Sequence, residues 1–286
     1  MRRTGRIIPL SAGLVSALAA ALAPSPASAQ AQTPEGAWEI EKTAERCTLY
    51  RALGGADPAA VSVTTDPGSD LYRLTVAAKT LPHHPTGRFP TAVILHGPEK
   101  RFGGMAMAGQ LGGAFPQALQ IDDITPGELA TLSGAKAISL SFKGGAVGPL
   151  ALPDLAEAVA AFGECNGEHL VAMGADARQF KPGGAAPVAV KPRDTWFGFP
   201  QIMEIAKAAG PAAATGGLFT LVVDGAGKVE NCTRRGAQGD DAYQKAACAT
   251  LLNKTMFRPA HDPAGNPVKG IATFVIPPMP GPPPRR

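Results

Sequence analysis

The chain has 286 residues, with 27 Lys and Arg against 23 Asp and Glu, a formal net charge of +4. Three of the arginines, Arg2, Arg3 and Arg6, lie in the first 29 residues, so without that segment 24 basic residues face 23 acidic ones. A balance so close to neutral, with three Tyr and two Trp to act as stacking platforms, argues against nucleic acid or an anionic membrane surface as partner.

In chain order, the first feature is an export signal. Arg2, Arg3 and Arg6 form a positive n-region, and Ile7 to Ala23 is almost wholly apolar. Pro24-Ser25-Pro26 then breaks the helix, and Ala27-Ser28-Ala29 supplies small residues at the cleavage-type positions. Residues 1–29 read as a signal peptide cut after Ala29, which predicts a periplasmic protein. A retained anchor is the alternative, because the apolar run is at the lower limit for crossing a bilayer. No cysteine follows the run, so a lipoprotein is not expected. No later stretch is apolar enough to be a second span, so the cleaved chain would have no stable membrane span.

The 34 Gly and 28 Pro predict loop-rich connections and two domains. Residues 36–176 form the first, of unknown role. Apolar and polar residues alternate in Val61–Thr65, Leu71–Val76, Thr91–Leu95 and Ala137–Phe142, the period of half-buried strands. Two short helices interrupt them. Thr125-Pro126-Gly127-Glu128 has the form of a capping box and should open a helix through about Leu132. A second helix is expected from Pro153 to Cys165, with Leu155, Ala158, Val159, Phe162 and Cys165 on one face. Gly103 to Gly113 is glycine-rich and reads as a loop or weak strand. It lacks the lysine and spacing of a phosphate loop.

Four cysteines in an exported chain imply two disulfides. Four allow three connectivities, which sequence alone does not separate. Pairing within each domain joins Cys47 to Cys165 and Cys232 to Cys248. Free thiols or a metal site are the rival readings, but no Cys-x-x-Cys or close pair of histidine ligands accompanies them.

Residues 177–194 lose apolar periodicity and read as a Pro/Gly/Ala linker. Residues 195–277 form a second, small domain. It begins with Phe199-Pro200 ahead of a helix, then the hairpin Val222–Val229 around Asp224, Gly225 and Gly227, whose turn residues permit positive φ. A helix near Tyr243 to Leu252 follows, with Tyr243, Ala247 and Leu251 on one face. Then come Phe257-x-Pro259-Ala260, Gly265-x-Pro267-Val268 and a closing strand Lys269–Ile276. Residues 278–286 are a proline-rich tail unable to continue a sheet.

The order and spacing of these motifs resemble the C-terminal domain of TonB, over residues 196–277 only. The resemblance implies a helix packed on a three-stranded antiparallel sheet. It also implies a mode of action: capture of an extended segment of a partner, such as an outer-membrane transporter, as an added strand. By that analogy the closing strand is the partner-binding edge, with Lys269, Ile271, Thr273 and Val275 as its candidate residues; the alternative is that the N-terminal domain or the proline-rich tail covers this edge. A homodimer through the same strand is the other association such an edge permits. The chain departs from TonB in having a globular domain and a short linker where TonB has an anchor and a long proline-rich spacer.

The expected fold class is α+β: a strand-rich N-terminal domain with two short helices, then the small C-terminal domain. No Gly-x-Ser-x-Gly, His-Glu-x-x-His or phosphate loop is present, so no catalytic residue, cofactor or metal is expected. His83-His84 reads as part of a turn, and Asp122-Asp123 and Asp240-Asp241 as acids near helix starts. The expected function is protein recognition in the cell envelope. An enzyme with its site in residues 36–176, or a passive envelope structural protein, are the alternatives.

Overall fold

A computed structural model describes residues 33–55, 58–111, 114–236 and 241–279, with the side chains of 33–35 and 194 left aside. The expected signal peptide, its cut after Ala29 and the tail from residue 280 lie outside the described residues, as do Gly112, Gly113 and Asp240.

The architecture is mixed α+β and strand-rich, with antiparallel sheets. Nine strands make the first sheet: β1 (Thr33–Lys42), β2 (Cys47–Gly54), β3 (Ala59–Thr64), β4 (Tyr72–Ala78), β5 (Arg88–His96), β6 (Lys100–Gln110), β7 (Gln117–Ile124), β8 (Ala137–Phe142) and β9 (Gly145–Ala151). Their order is β1-β2-β3-β4-β7-β6-β5-β8-β9. In β2, β3 and β5 every second side chain is buried, as period-two alternation requires of a sheet with one covered face. Gly103 to Gln110, expected as a loop or weak strand, belongs to β6, in the middle of this sheet. Ala106 is its one fully buried side chain, and Gly104 lies so close to Ile121 that a Cβ there would come within 2.7 Å of its methyl carbon. The glycines allow close approach of neighbouring strands.

Helix α1 (Pro126–Ser133) starts with the capping box: the Glu128 N–H donates to Thr125 Oγ1, and the Thr125 N–H to the Glu128 carboxylate. Helix α2 (Leu155–Ala172) runs a further two turns beyond Cys165. The added turns keep burying one stripe, Asn166, His169 and Leu170, so the apolar face does not end where the sequence pattern weakens. Cys165 on α2 is joined to Cys47 on β2, across 118 positions. The Trp38 indole on β1 and the Arg51 guanidinium on β2 both donate to the Pro153 carbonyl, tying the first strands to the segment after β9.

Residues 177–194 carry more order than their composition suggests. A 3-10 turn spans Ala177–Phe180, and β10 (Val188–Ala189) pairs with β13 (Phe257–Arg258). The second sheet contains β11 (Gly217–Val223), β12 (Val229–Arg234) and β16 (Gly270–Ile276), in the order β12-β11-β16. A two-stranded ribbon of β14 (Ala260–His261) and β15 (Pro267–Val268) precedes β16. Helices α3 (Phe199–Ala209) and α4 (Ala242–Ala249) complete this half. Tyr243, Ala247 and Leu251 are buried, and Cys248 on α4 is bonded to Cys232 on β12. Of the hairpin glycines only Gly227 has positive φ, at 78°, while the Asp224 carboxylate accepts from the N–H groups of Ala226 and Lys228. The turn is therefore built by an Asx-type acceptor and a single left-handed glycine.

One apolar core lies between the nine-stranded sheet and α2, and another around Phe219, Tyr243, Phe257 and Phe274. A third, smaller cluster of Leu170, Ala175 and Ile271 joins α2 to β16. All these residues belong to one compact unit.

Candidate functional site: the outer edge of the last strand

Among the described residues strand β16 has a strand neighbour, β11, on one side only. Its register against β11 runs from Gly217↔Ile276 to Val223↔Gly270 without a shift. Phe274 projects into the aromatic cluster, stacked on Phe219 with centroids 4.8 Å apart and edge-on to Trp196. That packing fixes which side of the strand faces inward, and with it which backbone groups face outward.

The Thr273 N–H points away from β11 and donates to the Gly68 carbonyl at 2.8 Å. Its hydroxyl donates to the Pro67 carbonyl at 2.6 Å, and its own carbonyl accepts from Arg193 at 2.5 Å. In an antiparallel pair alternate residues face the same way, so the outward backbone groups of the edge belong to Ile271, Thr273 and Val275. Those are three of the four residues expected from sequence.

The turn that meets Thr273 is Asp66-Pro67-Gly68-Ser69, between β3 and β4. The Ser69 N–H donates to the Asp66 carbonyl at 2.8 Å, and Gly68 has φ of 85°. Pro at the second position and a positive-φ Gly at the third are what a type II turn demands. A Cβ on Gly68 would lie 2.8 Å from the Thr273 hydroxyl oxygen and 3.2 Å from the backbone of Ala272. Two ion pairs flank the contact: Arg193 with Asp70 at 2.9 Å, and Arg235 with Asp66 at 3.7 Å. Burial lowers the pKa of both guanidiniums, and the facing aspartates oppose that shift.

The four expected residues therefore differ in environment. The Lys269 ammonium pairs with Glu230 at 2.9 Å, and its carbonyl accepts from the N–H of Asp176 and from Gln179. Ile271 is buried against Leu170 and Ala175. Thr273 is buried under the turn. Val275 is 61% exposed. Beside Val275 and Pro277 opens a cleft of about 340 Å³, lined on its other wall by Arg46, Arg73, Arg88, Asp122 and Asp123. Arg73 pairs with Asp122 at 2.7 Å, and Arg88 with Asp123 at 3.5 Å, so the wall offers both signs of charge. Asp122 and Asp123, expected as acids near a helix start, lie at the end of β7 just before the Thr125 cap of α1, and they also line this cleft.

Sequence reasoning found the edge strand and missed Pro67, Gly68, Asp70 and Arg193. The Asp-Pro-Gly-Ser run is legible as a turn, but nothing local tells where it lands. Arg193 falls in the stretch expected as linker.

Elsewhere, His169 is buried beside the Cys47–Cys165 bridge, and its Nε2 has no hydrogen-bond partner. Cys47, Cys165 and His169 are the one grouping of metal-type ligands among the described residues, and both sulfurs are committed to the disulfide. A second cleft, of about 320 Å³, lies between β1 and α2 with Trp38, Arg51, Asp154 and Glu157 in its wall. The Arg51 guanidinium there is turned to backbone carbonyls of Pro153 and Gly36. Among the described residues no helix is long and apolar enough to cross a membrane.

Comparison with known protein families, curated proteins and solved structures finds no match to this chain.

Proposed function

We propose that the protein is a recognition factor of the cell envelope that holds a partner protein by adding an extended segment of it to the edge of β16. One observation carries the reading: Val275 stands exposed at the end of a strand paired on one side only, with outward-facing backbone groups and a cleft alongside. Main-chain hydrogen bonds along the edge would give affinity, and the cleft wall would select among side chains. Its mixture of Arg46, Arg73 and Arg88 with Asp122 and Asp123 favours a segment carrying charged or polar groups at alternate positions over a purely apolar one.

The resemblance of residues 196–277 to the TonB C-terminal domain supports the same mode and suggests an outer-membrane transporter as one class of partner. Export into the periplasm follows from the n-region, apolar run and Ala27-Ser28-Ala29 site of the sequence. The two disulfides suit such an oxidising compartment.

Photocrosslinking in intact cells tests the proposal, with a photoreactive residue at Val275 and a control at Glu204, exposed on α3. The proposal expects an adduct with one envelope protein at Val275 and none at Glu204, with the crosslinked peptide coming from an extended segment of that partner. Equal adducts at both positions, or none at Val275, would remove it.

A further inference from the structure

We infer that the Asp66–Ser69 turn is a stand-in for the partner strand: it occupies the middle of the β16 edge in cis and must lift away before a partner segment can pair there. The inference rests on the strand-addition reading above and names how that site is regulated.

The turn does what an incoming strand would do. It supplies a carbonyl, that of Gly68, to the outward N–H of Thr273, and Arg193 supplies a donor to the Thr273 carbonyl. A partner strand would offer the same two groups from its own backbone. While the turn is docked, a segment lying along Val275 ends at Thr273, because the Pro67 and Gly68 carbonyls fill that place.

The contact is also built so that it can open. β3 ends at Thr64 and β4 begins at Tyr72, so residues 65–71 carry no ladder pair of the nine-stranded sheet. Lifting the turn leaves β3 and β4 paired. The two ion pairs that hold it join the part-buried guanidiniums of Arg193 and Arg235 to Asp70, which is exposed, and to Asp66, and the second is long at 3.7 Å. Close fit depends on Gly68 having no side chain. The neighbouring stretch is different. Lys269 and Ile271 are held by Asp176, Gln179 and the Leu170–Ala175 cluster, so release of the turn frees the edge from Thr273 onward and no further back.

If the docked state dominates, the apparent affinity for a segment is reduced by the fraction of molecules whose turn is lifted. The full chain is compared with Gly68→Ala, whose methyl group collides with Thr273. A double variant Asp66→Ala/Asp70→Ala removes both ion pairs without a steric clash, in case the first fails to fold. The probe is a labelled synthetic peptide of sequence Lys269–Ile276, since an open edge pairs with a copy of itself. Hydrogen exchange at the Thr273 amide reports whether the turn has lifted, and fluorescence anisotropy reports peptide binding.

The inference expects faster exchange at Thr273 in the variants and peptide binding about tenfold tighter than in the unaltered chain. Faster exchange with equal binding by variant and unaltered chain overturns the gate and leaves strand addition standing. Faster exchange with no binding by either removes strand addition, and the gate with it. A Thr273 amide that stays protected in both variants overturns the gate, because a turn that these changes cannot release does not act as one.

Discussion

The N–H of Thr273 on β16 donates to the carbonyl of Gly68 in the β3–β4 turn at 2.8 Å, so a turn of the nine-stranded sheet covers the edge of the three-stranded one at that residue. The Thr273 hydroxyl adds a bond to the Pro67 carbonyl at 2.6 Å, in a place with almost no solvent. Thr273→Val keeps the shape and leaves that carbonyl without its donor. Loss of about 1–2 kcal/mol in urea unfolding is expected, with the slope unchanged.

The two disulfides close loops of very different length, 118 and 16 positions. In the chain-entropy account the longer is worth on the order of 5 kcal/mol and the shorter about 3 kcal/mol. Replacing Cys47 and Cys165 together by Ala should therefore lower stability more than replacing Cys232 and Cys248. Denaturant titration of the two double variants checks the order, and non-reducing peptide mapping checks the pairing itself.

Gly227 has φ of 78°, and a Cβ there would fall 1.9 Å from the carbonyl oxygen of Phe257. The backbone of Phe257 cannot yield cheaply, because its ring sits in the core with Trp196. Gly227→Ala should cost more than about 2 kcal/mol, read as a fall in melting temperature, whereas Gly265→Ala, with φ of 82° in open space, should cost only its backbone strain of about 1–2 kcal/mol.

Stability should fall in two steps on acidification. Burial, with Lys42 and Arg235 nearby, lowers the pKa of His169 from its ordinary 6.5. The unfolded chain then binds that proton first, so stability is complete above pH 6.5 and declines as pH falls through it. His169→Gln should remove this step. The second step belongs to carboxylates. Hydrogen bonds from Arg178 hold Asp176 at about 2, and Asn266 holds Asp262 low. Burial works against Asp241, but its bonds from Arg234, Gln244 and Tyr243 prevail and lower it too. Their contributions are present above the ordinary value of 3.8 and are lost as pH falls from there towards 2. Circular dichroism melts across pH 2–8 for the unaltered chain and His169→Gln separate the two steps.

What the sequence makes legible here is local. Alternation locates β3, β4, β5 and β8, the Thr125–Glu128 box starts α1, and pairing the four cysteines within the two expected domains gives the Cys47–Cys165 and Cys232–Cys248 bridges. The closing strand and its alternate residues come from the resemblance to the TonB C-terminal domain and not from alternation, since all of β16 but Val275 is buried. The order in which strands pair is not. β4 lies beside β7, with β6 and β5 following in reverse, and no local pattern encodes such long-range pairing. β6 is hidden by its glycines, which lack the side chains that make alternation visible. That the N-terminal domain covers the closing strand is an alternative the sequence raises, but which residues do so is hidden, because the cover joins a turn near residue 68 to a strand near residue 273 through backbone groups that every residue has.

The central claim is that a partner pairs with the outward backbone groups of β16, and hydrogen exchange at the Val275 amide tests it most directly. Val275 faces the same way as Thr273 and is exposed, so its amide should exchange readily in the protein alone. Once the partner captured at the Val275 position is identified, exchange is measured with and without a peptide of its crosslinked segment. The account predicts that the Val275 amide becomes protected on binding. A bound peptide that leaves the exchange of Val275 unchanged would contradict it.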